Sequence, residues 1–569
     1  MSQLDAKPTT RRTLLAYALR RAGERIAGAL GPARWRRPRS VTPQRVLFAP
    51  ETLASADPTV AADIYAGVFV LAGEVVDAGG RSPFAVPPPS SAWAEALHGF
   101  SWLHHLEANA TALSSSNARA LVDEWFAVET RGGVAQAPAV AAERLGNWLV
   151  QSPLLINGAD PDFRERHLRG LGRHMRRLER ALPAMPHGSA RLKVAATLAT
   201  AGAVLTGEAR LMGWALGQVA LSLEHDVLPD GGHASRRPDA LVDALAVLIP
   251  LREALRRRQV AVPGPLSDAI DRMMPMVRFF RHGDGGLAAF HGAAPVCPSD
   301  LEVLFAFDDV AARPPTNARH VGFQRLAAGR SVVLLDTGRP PPPPYADRAH
   351  ASPLAFEFSH GATRLVVSCG ALGLARPAWS DAARATAAQS TLTVADTSCA
   401  SFVSRWPLAR WLGPAIYDGP STVSVERDRL AVAASHDGYR ARFGLVHTRR
   451  VVLSSDGLWL DGEDRLVGQD RRDGLPAAIR FHLGPTVRAR LEKGRRRALL
   501  TLPDGAIWMF GVDAGPPLAL EDSVCLGEDR RVRRTTQLVI AADTLTDAPV
   551  RWHIAEHAKP LADPSEEIP

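Results

Sequence analysis

The chain has 569 residues, of which 46% are apolar, so it is long enough for more than one domain with a large core. Its formal net charge is +8, but residues 1–40 alone contain ten Lys or Arg and two acidic residues, which also gives +8. The rest of the chain is balanced. Because the excess charge belongs to one terminal segment, no nucleic acid is predicted as a partner.

Residues 1–45 are predicted to form a basic leader. Its segment 10–15, Thr-Arg-Arg-Thr-Leu-Leu, is similar to a twin-arginine export signal, but charged residues between positions 20 and 25 interrupt the apolar core that such a signal needs. Cleavage and export are therefore not expected. A basic amphipathic helix over residues 11–30 would make weak contact with an anionic membrane surface, and a solvated or docked arm is the alternative. No later run is long and apolar enough to span a bilayer.

Residues 46–290 have a helical pattern, in which apolar residues recur at spacings of three and four and Pro or Gly loops separate the segments. Strand alternation is nearly absent, which favours a helical solenoid or a closed helical toroid. The predicted helices are 61–78, 91–106, 117–129, 139–150, 162–182, 190–206, 210–227, 239–258 and 265–281.

The helix predicted over 162–182 carries a stripe of arginines on one face and leucines on the other. A charged helix face is usually the solvated face. These arginines lack matching acids in the pattern, which favours an anionic partner as a second interpretation. The stripe consists of Arg166, Arg169, Arg173, Arg176 and Arg180.

The segment 228–240 interrupts the helical pattern and concentrates polar groups at one chain reversal. An Asp-Gly-Gly turn precedes His233, Ser235, Arg236 and Arg237. Such a set could hold an anionic, hydroxyl-rich ligand. The alternative is a helix–helix loop whose Ser or Asp caps the next helix.

The pattern changes between residues 283 and 345, after which short strands linked by tight turns dominate. So many strands without intervening helices predict a large antiparallel β-sandwich. The domain prediction is a helical domain over 46–300 and a β-sandwich domain over 301–569. The predicted strands are 331–336, 354–359, 364–369, 391–395, 422–425, 430–434, 449–454, 478–483, 486–491, 498–502, 506–510, 536–541 and 550–555.

Five motifs occur in one order along both halves. They are Leu-Pro-Asp-Gly-Gly-His-Ala-Ser-Arg (228–236), Arg-Met-Met-Pro-Met-Val-Arg-Phe-Phe-Arg-His-Gly-Asp-Gly-Gly (272–286), His-Ala-Ser-Pro-Leu-Ala-Phe-Glu (350–357), Ala-Ser-His-Asp-Gly-Tyr (434–439) and Leu-Asp-Gly-Glu-Asp (460–464). Together they resemble the heparinase II/III-like family over about residues 130–555. Known members are polysaccharide lyases with an (α/α) toroid, a β-sandwich and a cleft between them.

The resemblance implies an N-terminal (α/α) toroid-like helical domain followed by the β-sandwich. It also implies a lyase that cleaves an acidic, uronate-containing glycan by β-elimination. An acidic polysaccharide would be the partner, and the cell envelope or periplasm the location. Since no clear signal peptide is visible, a cytoplasmic location stays open. The pattern does not predict the oligomeric state.

β-Elimination needs a neutralised uronate carboxylate, a base for the C5 proton and an acid for the leaving oxygen. The resemblance implies His350, His233 and Tyr439 as catalytic candidates, with Tyr439 as the acid. Arg236 and His436 are the substrate-binding candidates implied beside them. Tyr345, in a proline-rich loop near His350, is a further substrate-binding candidate and the reserve acid. The structural alternatives are a loop hydrogen bond for His233, an interdomain hydrogen bond for His350 and a hairpin turn stabilised by His436 and Tyr439.

The chain departs from the family at several positions. Active members carry an Asn-His segment that matches residues 189–197, where this chain has neither residue. Their catalytic Tyr falls near Ala240, and their metal-binding Asp and His fall near Ser368 and Gln389. Arg191 and Lys193, in the altered segment, are expected to replace the Asn as neutralisers of the substrate carboxylate.

No metal site and no cofactor are predicted. His350 alone cannot provide the usual four ligands of zinc, and the four cysteines are far apart and form no CxxC pair. Two functions stay open: a lyase acting on an acidic glycan, and a non-catalytic glycan-binding protein on the same scaffold.

Overall fold

The computed structural model describes residues 40–108, 111–128, 133–342, 344–371, 377–402, 416–417, 419–468, 474–513, 517–526, 532–545 and 548–557, together with residues 19, 22 and 23. The amphipathic helix predicted in the leader lies almost wholly outside these residues. Among the described residues, no helix combines the length and apolarity of a segment that crosses a bilayer.

The described N-terminal half is mainly helical. The predicted helices agree with the observed ones within about five residues except near residues 61–78 and 91–106, and the helices over 152–156 and 298–305 were not predicted. The helices are α1 (Pro58–Tyr65), α2 (Ser91–Gly99), α3 (Ala112–Ala127), α4 (Pro138–Val150), α5 (Ser152–Ile156), α6 (Pro161–Ala181), α7 (Ser189–Val204), α8 (Ala209–Asp226), α9 (Pro238–Arg257), α10 (Gly264–Phe279) and α11 (Pro298–Phe305). In the region predicted as one helix over 91–106, α2 ends at Gly99 and a separate 3-10 helix over Ser101–Glu107 follows.

The helix predicted over 61–78 was wrong beyond α1, because a β-hairpin follows it. Strands β1 (Val68–Leu71) and β2 (Glu74–Asp77) pair antiparallel around a two-residue turn. Ala72 and Gly73 in this turn have φ of +53° and +80°, the conformation that two-residue hairpins prefer. The short apolar run fits the period of a helix as well as that of a strand. The residues of the two-residue turn therefore determine that a hairpin forms here.

Helix α7 lies at the centre of the helical half. Every residue from Val194 to Val204 is buried, as expected for a helix that is apolar on all sides. It packs against α4, α8 and α9. Gly202 allows the closest approach, since a Cβ at that position would lie 2.6 Å from the backbone nitrogen of Met212 on α8.

Two large antiparallel sheets dominate the described C-terminal half, which confirms the predicted order of a helical domain followed by a β-sandwich. The strands are β3 (Asn317–Ala318), β4 (Phe323–Ala328), β5 (Ser331–Asp336), β6 (Phe356–His360), β7 (Thr363–Val367), β8 (Leu392–Val394), β9 (Ser401–Phe402), β10 (Ile416–Tyr417), β11 (Val423–Asp428), β12 (Ala431–His436), β13 (Leu445–Leu453), β14 (Trp459–Gly468), β15 (Pro476–Leu483), β16 (Arg488–Leu491), β17 (Arg497–Thr501), β18 (Ile507–Val512), β19 (Leu518–Leu526), β20 (Val532–Asp543) and β21 (Val550–Glu556). One large sheet has the order β11-β12-β13-β14-β21-β18-β17-β16, and the other has the order β19-β20-β15-β7-β6-β5-β4-β3, with β8 also paired to β15. Strands β9 and β10 pair with each other. Where the structure describes the chain, two short helices interrupt the strands, α12 (Pro377–Arg384) and α13 (Arg440–Phe443).

A buried ion pair joins neighbouring strands inside the sandwich. Asp464 accepts hydrogen bonds from Arg449 Nε at 2.8 Å and from Trp552 Nε1 at 2.9 Å. Arg449 also donates to the carbonyls of Leu354 and Ser390, at 2.7 and 2.8 Å. Burial alone would raise the pKa of Asp464, but the charge of Arg449 outweighs it and holds that pKa far below its usual range.

We expect Arg449→Ala to lower the free energy of unfolding by about 3–5 kcal/mol, because it leaves the Asp464 carboxylate buried without its cation. Urea unfolding followed by circular dichroism measures the change. Arg551→Ala is the matched control, since it removes an exposed partner of Glu463 at 3.1 Å and should cost less than about 1 kcal/mol. Equal effects of the two substitutions would contradict the prediction.

Candidate functional site

Arg236 joins the two halves of the molecule. It sits at φ +61° in the loop between α8 and α9, and its buried guanidinium faces the start of the β-sandwich. Its Nε and two Nη atoms donate to the carbonyls of Val321, Arg339 and Gly322 at 2.7–2.9 Å, and Nη2 also pairs with Asp336. These bonds occupy all three of its nitrogens, so the predicted substrate-binding residue is an interdomain anchor in this structure.

Asp336, at the end of β5, is the acceptor at the centre of this junction. Beside Arg236, it accepts from Ser352 Oγ at 2.7 Å and from the Gly338 amide at 3.1 Å, and His291 Nε2 lies 3.2 Å from its Oδ2. Burial alone would raise the pKa of Asp336, but the charge of Arg236 and the contact with His291 lower it to about 2. The sequence analysis missed both Asp336 and His291.

His350 lies next to this junction in a chain of neutral hydrogen bonds. Its backbone amide donates to His291 Nδ1 at 3.2 Å, and its own Nδ1 accepts from Gln389 Nε2 at 3.2 Å. Gln389 Oε1 in turn accepts from Ser368 Oγ at 2.6 Å. All of these side chains are buried, and burial lowers the pKa of His350 to about 3.

The three residues do not fit a zinc ion, although the family resemblance aligns Ser368 and Gln389 with its metal ligands. A neutral hydroxyl and an amide replace the carboxylate and the second imidazole, and the amide already occupies His350 Nδ1. Across the described parts of the chain, no three His, Cys, Asp or Glu side chains are grouped closely enough to hold a metal.

His233 forms a separate group in the helical half. Its Nδ1 accepts from the Ser235 amide at 3.1 Å and contacts Ser235 Oγ at 2.7 Å. Its buried Nε2 has no hydrogen-bond partner among the described residues. Burial lowers the pKa of His233 to about 4, and the ring packs edge-on against Tyr345 with centroids 6.0 Å apart.

Tyr345 is tied to a buried carboxylate that the sequence analysis missed. Its hydroxyl donates to Asp226 Oδ1, at the end of α8, at 2.6 Å. Burial raises the pKa of Asp226 to about 6, while burial and the Asp226 charge raise the pKa of Tyr345 far above its usual range. Tyr345 therefore remains protonated near neutral pH.

The residues of the altered segment 189–197 are already engaged. Arg191 Nη1 donates to the Met185 carbonyl at 3.1 Å and its Nη2 to Gln218 Oε1 at 2.8 Å. Lys193 pairs with Glu143 at 3.0 Å. A substrate carboxylate would have to displace these partners to be neutralised here.

Tyr439 and His436 lie in the interior of the sandwich. Tyr439 donates to the Leu392 carbonyl at 2.9 Å, and His436 Nδ1 accepts from the Gly438 amide at 3.1 Å. Their rings contact each other with centroids 5.6 Å apart, and both are buried. The structure thus places the predicted residues in separate groups around His350, around His233 with Tyr345, and around Tyr439 with His436.

A second interdomain bridge comes from two of the recognised motifs. His282 Nε2 lies 3.0 Å from Glu357 Oε2, and its Nδ1 lies 2.9 Å from Ser359 Oγ. Glu357 also accepts from the Ala289 amide at 2.9 Å. All three side chains are buried, so Glu357 is a polar anchor between the halves.

A cavity of 260 Å³ opens beside this bridge and reaches Ser368. Alanines cover much of its wall, and Arg364, which also lines it, is held by Asp284 at 2.7 Å. Its volume is below the roughly 300–1,000 Å³ of typical ligand pockets. An extended sugar chain would therefore need a wider opening than this cavity provides.

We expect the protein to lose stability as the pH falls below about 6.5, because buried histidines stay neutral in the fold but bind protons once unfolded. The histidines with a pKa lowered to about 3 or 4 by complete burial include His167, His174, His233, His350 and His482. Their folded pKa is depressed, so the stability they contribute is present above about pH 6.5 and is lost toward pH 3 to 4.

His350→Gln should make the slope of unfolding free energy against pH shallower by about 1.4 kcal/mol per pH unit between about pH 6 and pH 4. Urea unfolding at several pH values gives the slope. His557→Gln, at an exposed position, is the control. An unchanged slope in His350→Gln would count against a neutral, buried His350.

The double variant S368D/Q389H should retain zinc through dialysis when the parent does not, because it restores a carboxylate and an imidazole beside His350. Metal content measured by atomic emission tests this. The single variant Ser368→Asp is the control and should retain much less zinc. Absence of zinc from the folded double variant would show that these three positions do not form a ligand set.

Comparison with known proteins supports the resemblance. A family model described as heparinase II/III-like, C-terminal, matches residues 311–554. FtsZ-localized protein C from Caulobacter vibrioides is 32% identical over 539 residues, which cover 90% of this chain and 91% of that protein.

Solved structures agree with the fold of both halves. The crystal structure of heparinase III is 12% identical and superposes with a TM-score of 0.69 over 93% of this chain and 88% of that one. Heparan sulfate lyase HepC from Pedobacter heparinus is 14% identical, with a TM-score of 0.56 over 96% and 89% of the two chains. The match of the family model in the β-sandwich and the relative that spans both halves establish that the chain belongs to the heparinase II/III-like family.

Proposed function

We propose that this chain is a non-catalytic member of its family that acts as a binding protein and localises with FtsZ assemblies. The observation that carries the first part is the chain of hydrogen bonds from His350 through Gln389 to Ser368, in which the Gln389 amide occupies Nδ1 of the buried imidazole. A base or metal ligand at this position would need an open coordination site or an accessible nitrogen.

The other candidate groups support the same conclusion. Tyr439 donates to a backbone carbonyl within the sandwich, and burial raises its pKa well above its usual range. Arg191 and Lys193 are held by protein partners. β-Elimination needs an acid, a base and a neutralising group around one carbon atom, and these residues lie in separate contacts.

The second part rests on the relative from Caulobacter vibrioides, which is named FtsZ-localized protein C. Its similarity to this chain spans the helical half and the β-sandwich, so we extend the localisation to this chain. The basic leader is proposed to add weak contact with an anionic membrane surface, since it carries ten Lys or Arg against two acids. On this proposal the chain works on the side of the membrane where FtsZ assembles.

A lyase that acts on an acidic glycan is the second candidate. One observation favours it: Asp226 has a pKa raised to about 6 and is bonded to Tyr345, which packs against His233. A carboxylate with a pKa near the working pH is suited to general base catalysis. An acidic polysaccharide is the partner under this candidate, and also under a purely glycan-binding version of the first.

We expect no increase in ultraviolet absorbance from a new C4–C5 double bond when the protein is incubated with a panel of uronate polysaccharides. Heparinase III serves as the positive control. A rise in absorbance that His350→Ala or Asp226→Asn abolishes would reject the non-catalytic proposal. Binding of one polysaccharide without a rise would assign the glycan as the bound partner.

In the same preparation, we expect the protein to sediment with FtsZ polymers formed with GTP and to remain in the supernatant when FtsZ is kept unassembled with GDP. Sedimentation assays with purified FtsZ measure this. Equal amounts in the supernatant under both conditions would reject the FtsZ part of the proposal and leave the lyase result unaffected.

A further inference from the structure

The C-terminal half of α6 presents arginines to solvent without acidic partners. Earlier along the helix, Arg166 pairs with Asp123 at 2.9 Å and Arg169 with Glu165 at 3.3 Å, which corrects the expectation that the whole stripe lacks matching acids. Beyond them, the exposed Arg173, Arg177 and Arg180 have no carboxylate partner among the described residues. We call these three residues the arginine face.

The helix holds the arginine face outward. Leu171, Met175 and Leu178, on the opposite side of α6, are fully buried, so the helix cannot rotate these arginines into the core. Arg173 lies over the Phe126 ring with its guanidinium carbon 5.6 Å from the centroid, and Arg177 donates to the Gln136 carbonyl at 3.0 Å. These contacts orient the guanidinium groups of Arg173 and Arg177 without pairing either with a carboxylate from the described part of the chain.

The leader joins the folded body beside this face. Arg176, next to Arg177, lies with its Nη1 3.4 Å from the Ser40 carbonyl, and the Ser40 amide donates to Glu179 at 3.4 Å. The chain is then fixed further along, where the Val41 amide donates to Glu208 at 3.0 Å and the Leu47 amide donates to the Val204 carbonyl at 2.8 Å. Ser40, which directly follows the basic residues in the sequence, therefore lies against the same helix that carries the arginine face.

We propose that the arginine face is a second contact with an anionic lipid surface, and that together with the leader it sets which side of the body faces the membrane. This inference rests on the proposed membrane contact of the leader. A single weak membrane signal gives marginal, reversible binding, and stable attachment takes two. Guanidinium groups fit lipid phosphates through paired hydrogen bonds.

Distance also favours a shared surface. Charges act on a membrane within about 8–10 Å at physiological salt, so cations help only when they approach the lipids together with the leader. The contact of Arg176 with Ser40 places the C-terminal end of the leader, where it joins the folded body, at α6 itself. A lipid surface that contacts the leader near Ser40 would therefore also lie close to the arginine face.

The test uses the full chain and vesicles of phosphatidylcholine with phosphatidylglycerol, compared with phosphatidylcholine alone. We expect the triple variant R173Q/R177Q/R180Q to bind the anionic vesicles about tenfold or more weakly in flotation assays, with the leader unchanged. Glutamine keeps helix propensity, and circular dichroism checks that the variant is folded. The matched control is R488Q/R490Q/R497Q, which removes three exposed arginines from β16 and β17 and should bind like the parent.

Each outcome decides the inference. Equal vesicle binding by the parent and by R173Q/R177Q/R180Q overturns the inference. Equally weakened vesicle binding by R488Q/R490Q/R497Q also overturns it, since the loss of binding would then reflect only the lower net charge of the protein. Absence of binding by the parent rejects the membrane contact of leader and arginine face together. Sedimentation with FtsZ polymers is measured on the same variants. If only the sedimentation with FtsZ is lost and vesicle binding is unchanged, the arginine face is reassigned to protein binding. The lyase screen is independent of both the vesicle and the sedimentation assays.

Discussion

The ion pair between Arg236 and Asp336 is the interaction on which the arrangement of the two halves depends. It is buried, and a buried pair is stable only when further hydrogen bonds satisfy both partners. Arg236 meets this requirement with three backbone carbonyls, and Asp336 with Ser352 and the Gly338 amide. His350 is positioned from the same junction through His291. The position of His350 in the candidate site therefore depends on the interface between the two halves.

The sequence was sufficient for the order of the halves and for most elements, because long helices and alternating strands have clear periods. The predictions from the sequence failed where a constraint other than periodicity determines the structure. Strand β14 was missed since its inward positions include Gly462 and Asp464: the first makes room for the Trp552 ring, and the second bonds Arg449. Asp226 and His291 were missed for a different reason, because each becomes notable only through partners far away in the chain.

If the chain is non-catalytic, as proposed, the candidate site also explains how a lyase-like scaffold can keep its fold after these positions have changed. Ser368 and Gln389 keep the hydrogen bonds that hold this region together, so the fold does not require the ligands that they replace. The family resemblance could indicate which positions had changed, but not that the new side chains bond to one another and to His350. Such compensation depends on side-chain geometry, which no single sequence displays. A fold shared with heparinase III therefore describes the architecture, while activity has to be argued from the site.

The attachment of residues 40–47 has a mechanical consequence. Val46 forms a bridge with Leu205, and the Leu47 amide bonds to Val204, at the end of the central helix α7. Ser40 and Val41 are held by carboxylates on α6 and beside α8. Tension applied through the leader would load these hydrogen bonds together before it reached any loop of the body. A pull from the terminus is thus delivered to the most densely packed part of the helical half, where local opening costs the most free energy.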